Sequence, residues 1–312
     1  MSALQRLKIV VEKPDSVTSG SQRQTDEAFG FKWAKRDTYE SDVSKANMRR
    51  WLLERYCAGD PSFLQMWLSG EGKIILDAGC GAGFSGLLFF GDMLRVHDYL
   101  GVDISSAVDV ARNRFKEIDM PGDFVRADIS TLEIPDASVD MIFSEGVLHH
   151  TDSTEKTLKH LARKLVCGGR FLFYVYRKKA LIREFTDDAI REALKPLTDE
   201  EAWEVLKPLT KLGIALGELT LDIDVKDPIP FLDIDAGKLD VQRFFYWNIC
   251  KAYYRPELSF EEMHHINFDW FRPLNCHRHT PEEIRTWCTE AGLAIEHIDV
   301  QEAGITVVSQ RK

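Results

Sequence analysis

Residues 75–85 read Ile-Leu-Asp-Ala-Gly-Cys-Gly-Ala-Gly-Phe-Ser, an apolar run that ends in an acid and gives way to glycines spaced G-x-G-x-G. Glycine after a strand lets the chain turn tightly and lets a ligand come against bare backbone. A dinucleotide loop needs G-x-G-x-x-G, and here the sixth position is Phe84. Asp77 stands directly before the loop. Its carboxylate would repel a pyrophosphate and would welcome a ligand that ends in an ammonium group. Asp103 closes YLGVD and can accept both hydroxyls of a ribose. Asp128 closes FVRAD and can accept from the exocyclic amine of an adenine. A single acid at a strand end more often caps a helix and faces solvent. Acids at successive strand ends beside a glycine loop converge on one crevice, because ligands of parallel sheets bind outside the carboxyl ends of the strands. The pattern suits a nucleoside with a cationic tail better than NAD.

These groups must be positioned by strands. KIILD (73–77), YLGVD (99–103), FVRAD (124–128), VDMIFSE (139–145) and RFLFYVY (170–176) are short runs rich in β-branched and aromatic residues, separated by helical stretches. Ser105 can cap the stretch SSAVDVARNRF, and Leu158, Leu161 and Leu165 share one face of the helix before Cys167-Gly168-Gly169. This alternation predicts a parallel sheet buried on both faces. Thr280-Pro281-Glu282-Glu283 is a helix start, with a cap, a first-turn proline and an acid three residues after the cap. That helix should end near Gly292, and LAIEHIDVQEA and GITVVSQRK then read as two closing strands with a turn around Gly304.

Residues 177–279 break the alternation. They carry helical patterns such as Thr198-x-x-Glu201. A loop of about 100 residues without a role would be unusual, so the insertion reads as a largely helical lid or subdomain. Before the first strand, residues 14–27 read as a polar, mobile stretch. The aromatic-basic segment FGFKWAKRDTY (29–39) follows, then two helices, one carrying Met48, Trp51, Leu52 and Tyr56 at helical spacing and one with Pro61 in its first turn. The expected division is an N-terminal segment with cap helices at 1–70, an α/β core at 71–176 and 280–312, and the insertion at 177–279.

Composition bounds the function. The chain has 312 residues, 44% hydrophobic and 29% charged, which is ordinary globular material. Its formal net charge of −10 makes it a poor binder of phosphate backbones, so no nucleic acid partner is expected. No apolar run approaches the roughly 20 residues that span a bilayer, so no membrane partner is expected, and the start MSALQRLKIVVEKPDS is too short in apolar residues for a secretory signal. The cysteines form no C-x-x-C pair and read as reduced thiols of a cytoplasmic protein. His277-x-His279 and His264-His265 lack partner ligands at useful spacing, so no metal is expected. Nothing in the composition fixes an oligomeric state.

The segments ILDAGCGAG, GVD (101–103), RADI (126–129) and SEGVLHHTD (144–152), the last followed by a helix and CGGRF, together resemble the class I S-adenosylmethionine-dependent methyltransferases of the type 11 kind. The resemblance covers roughly residues 70–176 and 280–312. It implies a Rossmann-like α/β fold, a seven-stranded sheet with helices on both faces and an antiparallel final strand. It implies S-adenosyl-L-methionine as cofactor, with Gly79, Cys80, Gly81 and Gly83 at its methionyl part and Asp77 facing its amino group. It places Asp103 and Ile104 at the ribose, Asp128 and Ile129 at the adenine, and the backbone of Ser144 and Glu145 near the methionine tail. Nothing family-wide carries over to 177–279.

Methyl transfer from a sulfonium is an in-line displacement, so the protein must hold a nucleophile about 3–3.5 Å behind the methyl carbon and exclude water. A base is needed only for an acceptor that holds a proton at neutral pH. His149 follows the fourth strand, where an acceptor would enter, and can take a proton; Glu145 is the other candidate for catalysis or acceptor contact. The alternative for His149 is packing that fixes the loop, and His150 reads as structural. Trp33 and Phe29 are candidates for a lid over the cofactor. Phe244, Phe245, Tyr246, Trp247, Tyr253, Tyr254, Trp270 and Phe271 form a dense aromatic group that can build a subdomain core or face an acceptor. Among them and their neighbours, Arg243, Tyr246, Trp247 and Arg272 are the acceptor candidates, with Asn275, His277 and Arg278 as further donors. An inward Arg243 or Arg272 would select an acceptor bearing a carboxylate or phosphate. Three functions compete: a methyltransferase for a small molecule, one for a protein or RNA, and a non-catalytic cofactor-binding scaffold.

Overall fold

The computed structural model describes residues 3–9 and 19–312. Residues 14–18 of the stretch expected to be mobile, and part of the N-terminal start, lie outside the described residues. The rest of that stretch is a correction, for it opens a helix. Ser19 caps it by accepting from the Gln22 backbone N–H at 3.0 Å. Gln22 and Thr25 are then buried, accepting from the Asn275 side chain and backbone, both at 3.1 Å.

In chain order the elements up to the third strand are α1 (Ala3–Arg6), α2 (Gly20–Trp33), α3 (Asp42–Cys57), α4 (Ser62–Trp67), β1 (Ile74–Ala78), α5 (Phe84–Phe90), β2 (Asp98–Asp103), α6 (Ala107–Glu117) and β3 (Asp123–Arg126). There follow β4 (Val139–Glu145), α7 (Thr154–Ala162), β5 (Leu165–Tyr176), α8 (Leu181–Leu194), α9 (Asp199–Glu218), β6 (Asp222–Val225) and β7 (Gly237–Asp240). The last are α10 (Val241–Phe244), α11 (Phe260–Phe271), α12 (Pro281–Glu290), β8 (Leu293–Val300) and β9 (Gly304–Arg311).

Seven strands form one sheet in the order β3-β2-β1-β4-β5-β9-β8. The pairs from β3 to β5 are parallel, and β9 runs antiparallel to both of its neighbours. Order reverses at β1, where β2 lies on one side and β4 on the other, and that is where such sheets open a ligand crevice. All five residues of β1 are buried, as a strand covered on both faces must be. Successive side chains point to opposite faces. Leu76 joins the layer of Leu158, Leu161, Ile284 and Cys288 from α7 and α12. Ile75 joins that of Leu52, Tyr56, Phe89 and Phe115 from α3, α5 and α6.

Contacts divide the chain into two compact units, one of residues 1–34, 45–177 and 275–312, the other of 35–44 and 178–274. The first 70 residues therefore do not stand apart. In α1 the Leu4 backbone N–H donates to the Asp123 carboxylate at 3.1 Å and Arg6 pairs with Asp98, which ties the N terminus to the sheet edge.

The second unit is built on α8, α9 and α11, as expected of a largely helical insertion, and includes the two-stranded ribbon β6–β7. Capping boxes open α9 at Thr198 and α11 at Ser259. Segment 35–44 belongs here because of α11: Thr38 hydrogen-bonds His265 Nδ1 at 2.7 Å, and Ser41 and Ser44 donate to Glu262. His264 spans Thr210 Oγ1 and the Trp203 carbonyl, each at 2.9 Å, so both histidines of that pair hold the helix in place.

Candidate active site

The glycine loop closes over the end of β2. The N–H groups of Gly79 and Cys80 donate to the Val102 carbonyl at 2.8 and 3.0 Å, and the Gly81 N–H donates to Asp103 Oδ2 at 2.8 Å. Gly79 and Gly81 have φ of 86° and 50°, the left-handed region that glycine enters freely. Neither position has room for a side chain: a β-carbon on Gly79 would lie 2.1 Å from Val147 Cγ1, and one on Gly81 would lie 2.9 Å from Trp33 Nε1. Gly83 caps α5, and Cys80 is buried beside the loop.

Asp77 is 2% exposed, and the Tyr99 hydroxyl donates to its Oδ2. Burial pushes its carboxyl up to about 7; the Tyr99 hydrogen bond opposes this, and the nearby Asp103 and Glu145 charges add to it. Asp103 is held by the Ser105 N–H at 2.8 Å and the Ser105 hydroxyl at 2.6 Å. Burial raises the Asp103 carboxyl too. Asp128 accepts from the Ser130 N–H at 2.8 Å, beside the buried Ile129, and the Ile104 carbonyl accepts from Arg126. Ser144 donates to the Ala78 carbonyl at 2.8 Å, which stitches β4 to the strand end before the loop.

Helix α2 crosses these strand ends. Its Gly30 approaches so near that a β-carbon would lie 2.7 Å from Ser106 Oγ. Trp33 covers Gly81, with the Lys32 ammonium 3.9 Å from the indole centroid. Phe29 lies edge-on to His150 at 4.9 Å. Asp26, on the same helix, pairs with Arg126 at 3.4 Å; burial lifts its carboxyl to about 6 against the pull of Arg126, and Asp103 adds to the rise.

Glu145 is engaged at both oxygens. Arg55 of α3 pairs with Oε1 and the Tyr56 hydroxyl donates to Oε2. The Arg55 guanidinium lies between rings, 3.9 Å from the Tyr174 centroid and 4.6 Å from that of Trp51. Both oxygens are thus given to protein donors, which corrects the expectation of a catalytic Glu145 with a structural place in the fold. His149 is fully buried, its ring 3.8 Å from Tyr176, and its carbonyl accepts from the His277 N–H at 2.9 Å. His150 donates through Nδ1 to the Asn275 carbonyl at 2.6 Å. The His pair is thus built into the frame around the loop after β4.

The comparisons with known proteins bear on the same stretch. The family model described as a methyltransferase domain matches residues 76–173. That match lies within the sheet unit and makes the stretch from β1 to β5 similar to a methyltransferase domain. A putative methyltransferase of Encephalitozoon cuniculi is 30% identical over 147 residues, covering 46% of this chain and 61% of its own. A probable tRNA methyltransferase 9B of Mus musculus is 32% identical over 118 residues, covering 36% of this chain and 24% of its own. The chain thus spans less than two thirds of the length of these relatives. Magnesium protoporphyrin IX methyltransferase from Synechocystis PCC 6803, solved with bound SAM, superposes with a TM-score of 0.50 at 12% identity over 96% of this chain and 100% of its own, a likeness of fold.

The site fits S-adenosylmethionine on its own terms. The loop offers backbone where side chains have no room, and Asp77 is a buried carboxylate that a cation would relieve. Asp103 keeps lone pairs for a diol after its three protein hydrogen bonds.

The acceptor candidates of the insertion lie in the second unit. Arg272 is a correction: its fork is given to Asp199 and to the carbonyls of Leu194 and Leu197, at 2.9 and 2.8 Å, so it clamps the corner between α8 and α9. Arg243 donates to the Tyr254 carbonyl at 2.6 Å and lies 5.1 Å from the Tyr246 ring. Tyr246 is buried and edge-on to Trp247 at 4.6 Å. Both rings belong to a π turn, Phe245–Ile249, an irregularity often found at functional sites.

Tyr99 on Asp77, Ser105 on Asp103, and Arg55 with Tyr56 on Glu145 are contacts that the sequence did not announce. Arg55 carried a signal, since it lies four residues after Trp51 on the helix face already marked by Leu52 and Tyr56.

Proposed function

We propose that this chain transfers the methyl group of S-adenosylmethionine to a small-molecule acceptor. The observation that carries the cofactor half is the buried Asp77 carboxyl, raised to about 7 directly before a loop with no room for side chains. The bound cofactor supplies an activated methyl on a positively charged sulfur. The chain's residues bind and orient. Asp77 takes the ammonium end, the backbone from Gly79 to Gly83 lies along the methionyl part, Asp103 with Ile104 takes the ribose, and Asp128 with Ile129 takes the adenine. Trp33 covers the loop and excludes water. Arg55 and Tyr56 hold Glu145 in place at the end of β4, and His149 packs against Tyr176 to fix the loop that follows. Positioning then supplies most of the acceleration, as displacement on a sulfonium needs little else.

The small-molecule acceptor is favoured by the net charge of −10, which repels a nucleic acid backbone. The tRNA methyltransferase name of a relative gives the RNA reading its one support. Incubation with methyl-labelled cofactor, a metabolite extract and total tRNA tests both. Label is expected in the low-mass fraction; label in the tRNA overturns the small-molecule reading.

A further inference from the structure

Asp77 is held by more than its own strand. Its partner in register on β2 is Gly101, which has no side chain to meet it, and Tyr99 reaches over from two residues earlier on the same face of that strand. The Tyr99 ring is stacked on Phe115 at 5.1 Å and edge-on to Phe124 at 5.8 Å, so its hydroxyl has one place to go. That hydroxyl is buried and donates to Asp77 Oδ2. Gly86 of α5 packs over the same two atoms. A β-carbon there would collide with Asp77 Oδ2 and lie 2.6 Å from the Tyr99 oxygen. Glycine inside a helix weakens it, so its presence calls for a packing reason, and room for this pair supplies one.

The surrounding charges make this hydrogen bond consequential. Asp103 of β2 and Glu145 of β4 both disfavour an ionised Asp77, and Glu145 is itself paired with Arg55 of α3. The Cys80 thiol of the loop is pushed well up by burial and stays neutral, and α5, of sequence FSGLLFF, brings no titratable group. Burial and the two carboxylates lift the Asp77 carboxyl to about 7, and Tyr99 is the group that pulls it back. Burial also pushes the Tyr99 phenol well above its ordinary range, so it remains a donor at every working pH. Among the described residues this is the one hydrogen bond that Asp77 accepts, and it goes to Oδ2, which leaves Oδ1 for a ligand.

We propose that Tyr99, with room made by Gly86, is a positioning residue for the cofactor: it fixes Asp77 by one oxygen, favours its ionised form, and thereby sets the preference for a nucleoside whose tail ends in an ammonium group. This rests on the reading above that Asp77 takes the ammonium end. A carboxylate held so is oriented before the ligand arrives, and its charge meets the ligand rather than a proton.

The test is calorimetry on the full chain with two probes, S-adenosylhomocysteine and 5′-methylthioadenosine, which has the nucleoside and no amino-acid tail. Losing a hydrogen bond to the ionised form should raise the Asp77 carboxyl by about one pH unit or more in Tyr99→Phe. S-adenosylhomocysteine should then bind the variant about tenfold more weakly than the wild type at about pH 6, about fivefold at about pH 7 and within about twofold at about pH 8.5, while 5′-methylthioadenosine binds both chains alike. Without ligand, the fall of stability with rising pH should run on in the variant to about pH 8. Gly86→Ala, whose β-carbon parts the pair, should show the same pattern, and it carries the comparison if Tyr99→Phe fails to fold. A loss that is equal at every pH, a loss shared by 5′-methylthioadenosine, or wild-type behaviour in the variants overturns the proposal. Wild-type binding of S-adenosylhomocysteine with the pH profile unmoved in the variants sinks the role of Tyr99 alone. If the wild-type chain binds neither probe, the cofactor reading fails and takes the ligand preference with it, and a ligand-free profile unchanged in the variants then removes the hold of Tyr99 on Asp77 as well.

Discussion

Asp77 puts a negative charge where the protein solvates it poorly. Its carboxyl stands at about 7 against an ordinary 3.8, so the folded chain holds a proton that the unfolded chain sheds between those values. Stability of the cofactor-free chain should therefore fall as pH rises through that window. A bound cation favours the ionised form. Cofactor affinity should climb with pH, by up to about tenfold per unit, and level off above roughly pH 7. Calorimetry across about pH 5.5 to 8 checks this, and a flat profile would mean that Asp77 does not face the charge. Asp77→Asn keeps the shape and removes the charge. It should weaken cofactor binding at least tenfold while raising the cofactor-free melting temperature by several degrees, two readouts of opposite sign. The place of Asp77 and Asp103 at strand ends beside a glycine turn was legible in the sequence, because strand, acid and bare turn are adjacent along the chain. Tyr99 was not, because its hydroxyl reaches Asp77 across the register that pairs Asp77 with Gly101.

At the scale of elements, α3 and β4 are joined by one ion pair. Arg55 and Glu145 are 8% and 11% exposed at their side chains. Removing one partner of such a pair leaves the other charge buried, which typically costs about 3–5 kcal/mol, whereas removing both costs much less. Arg55→Met should destabilise the chain on that scale in urea unfolding, and the double variant Arg55→Met/Glu145→Gln should recover most of the loss. Additive losses would instead show two independent packing sites. The strands and α12 were legible because hydrophobic runs and a proline-containing cap declare themselves locally. Helix α2 was not foreseen over residues 20–27. Its stretch is polar, and what orders it is Asn275, from the other end of the sequence, bonded to Gln22 and Thr25.

At the scale of the whole molecule, the insertion leaves and rejoins the sheet unit at one place. Arg177 and His279 form a parallel bridge, and the His279 N–H donates to the Tyr176 carbonyl at 2.9 Å. Replacing residues 178–274 by a short Gly-Ser linker should leave a folded chain that still binds cofactor in calorimetry and transfers no methyl group. A variant without cofactor binding would show that the sheet unit depends on the insertion. The strand pattern stops at Tyr176 and the capped helix begins after Thr280, while the compact unit between them runs over 178–274. The membership of 35–44 was not, because it depends on Glu262 and His265, far along the chain. A root pinched shut in this way makes the excursion a detachable cassette. Chain length added beyond it raises the closure entropy only logarithmically. A different excursion can thus be spliced in at the same root while the hydrogen bonds that close it stay as they are.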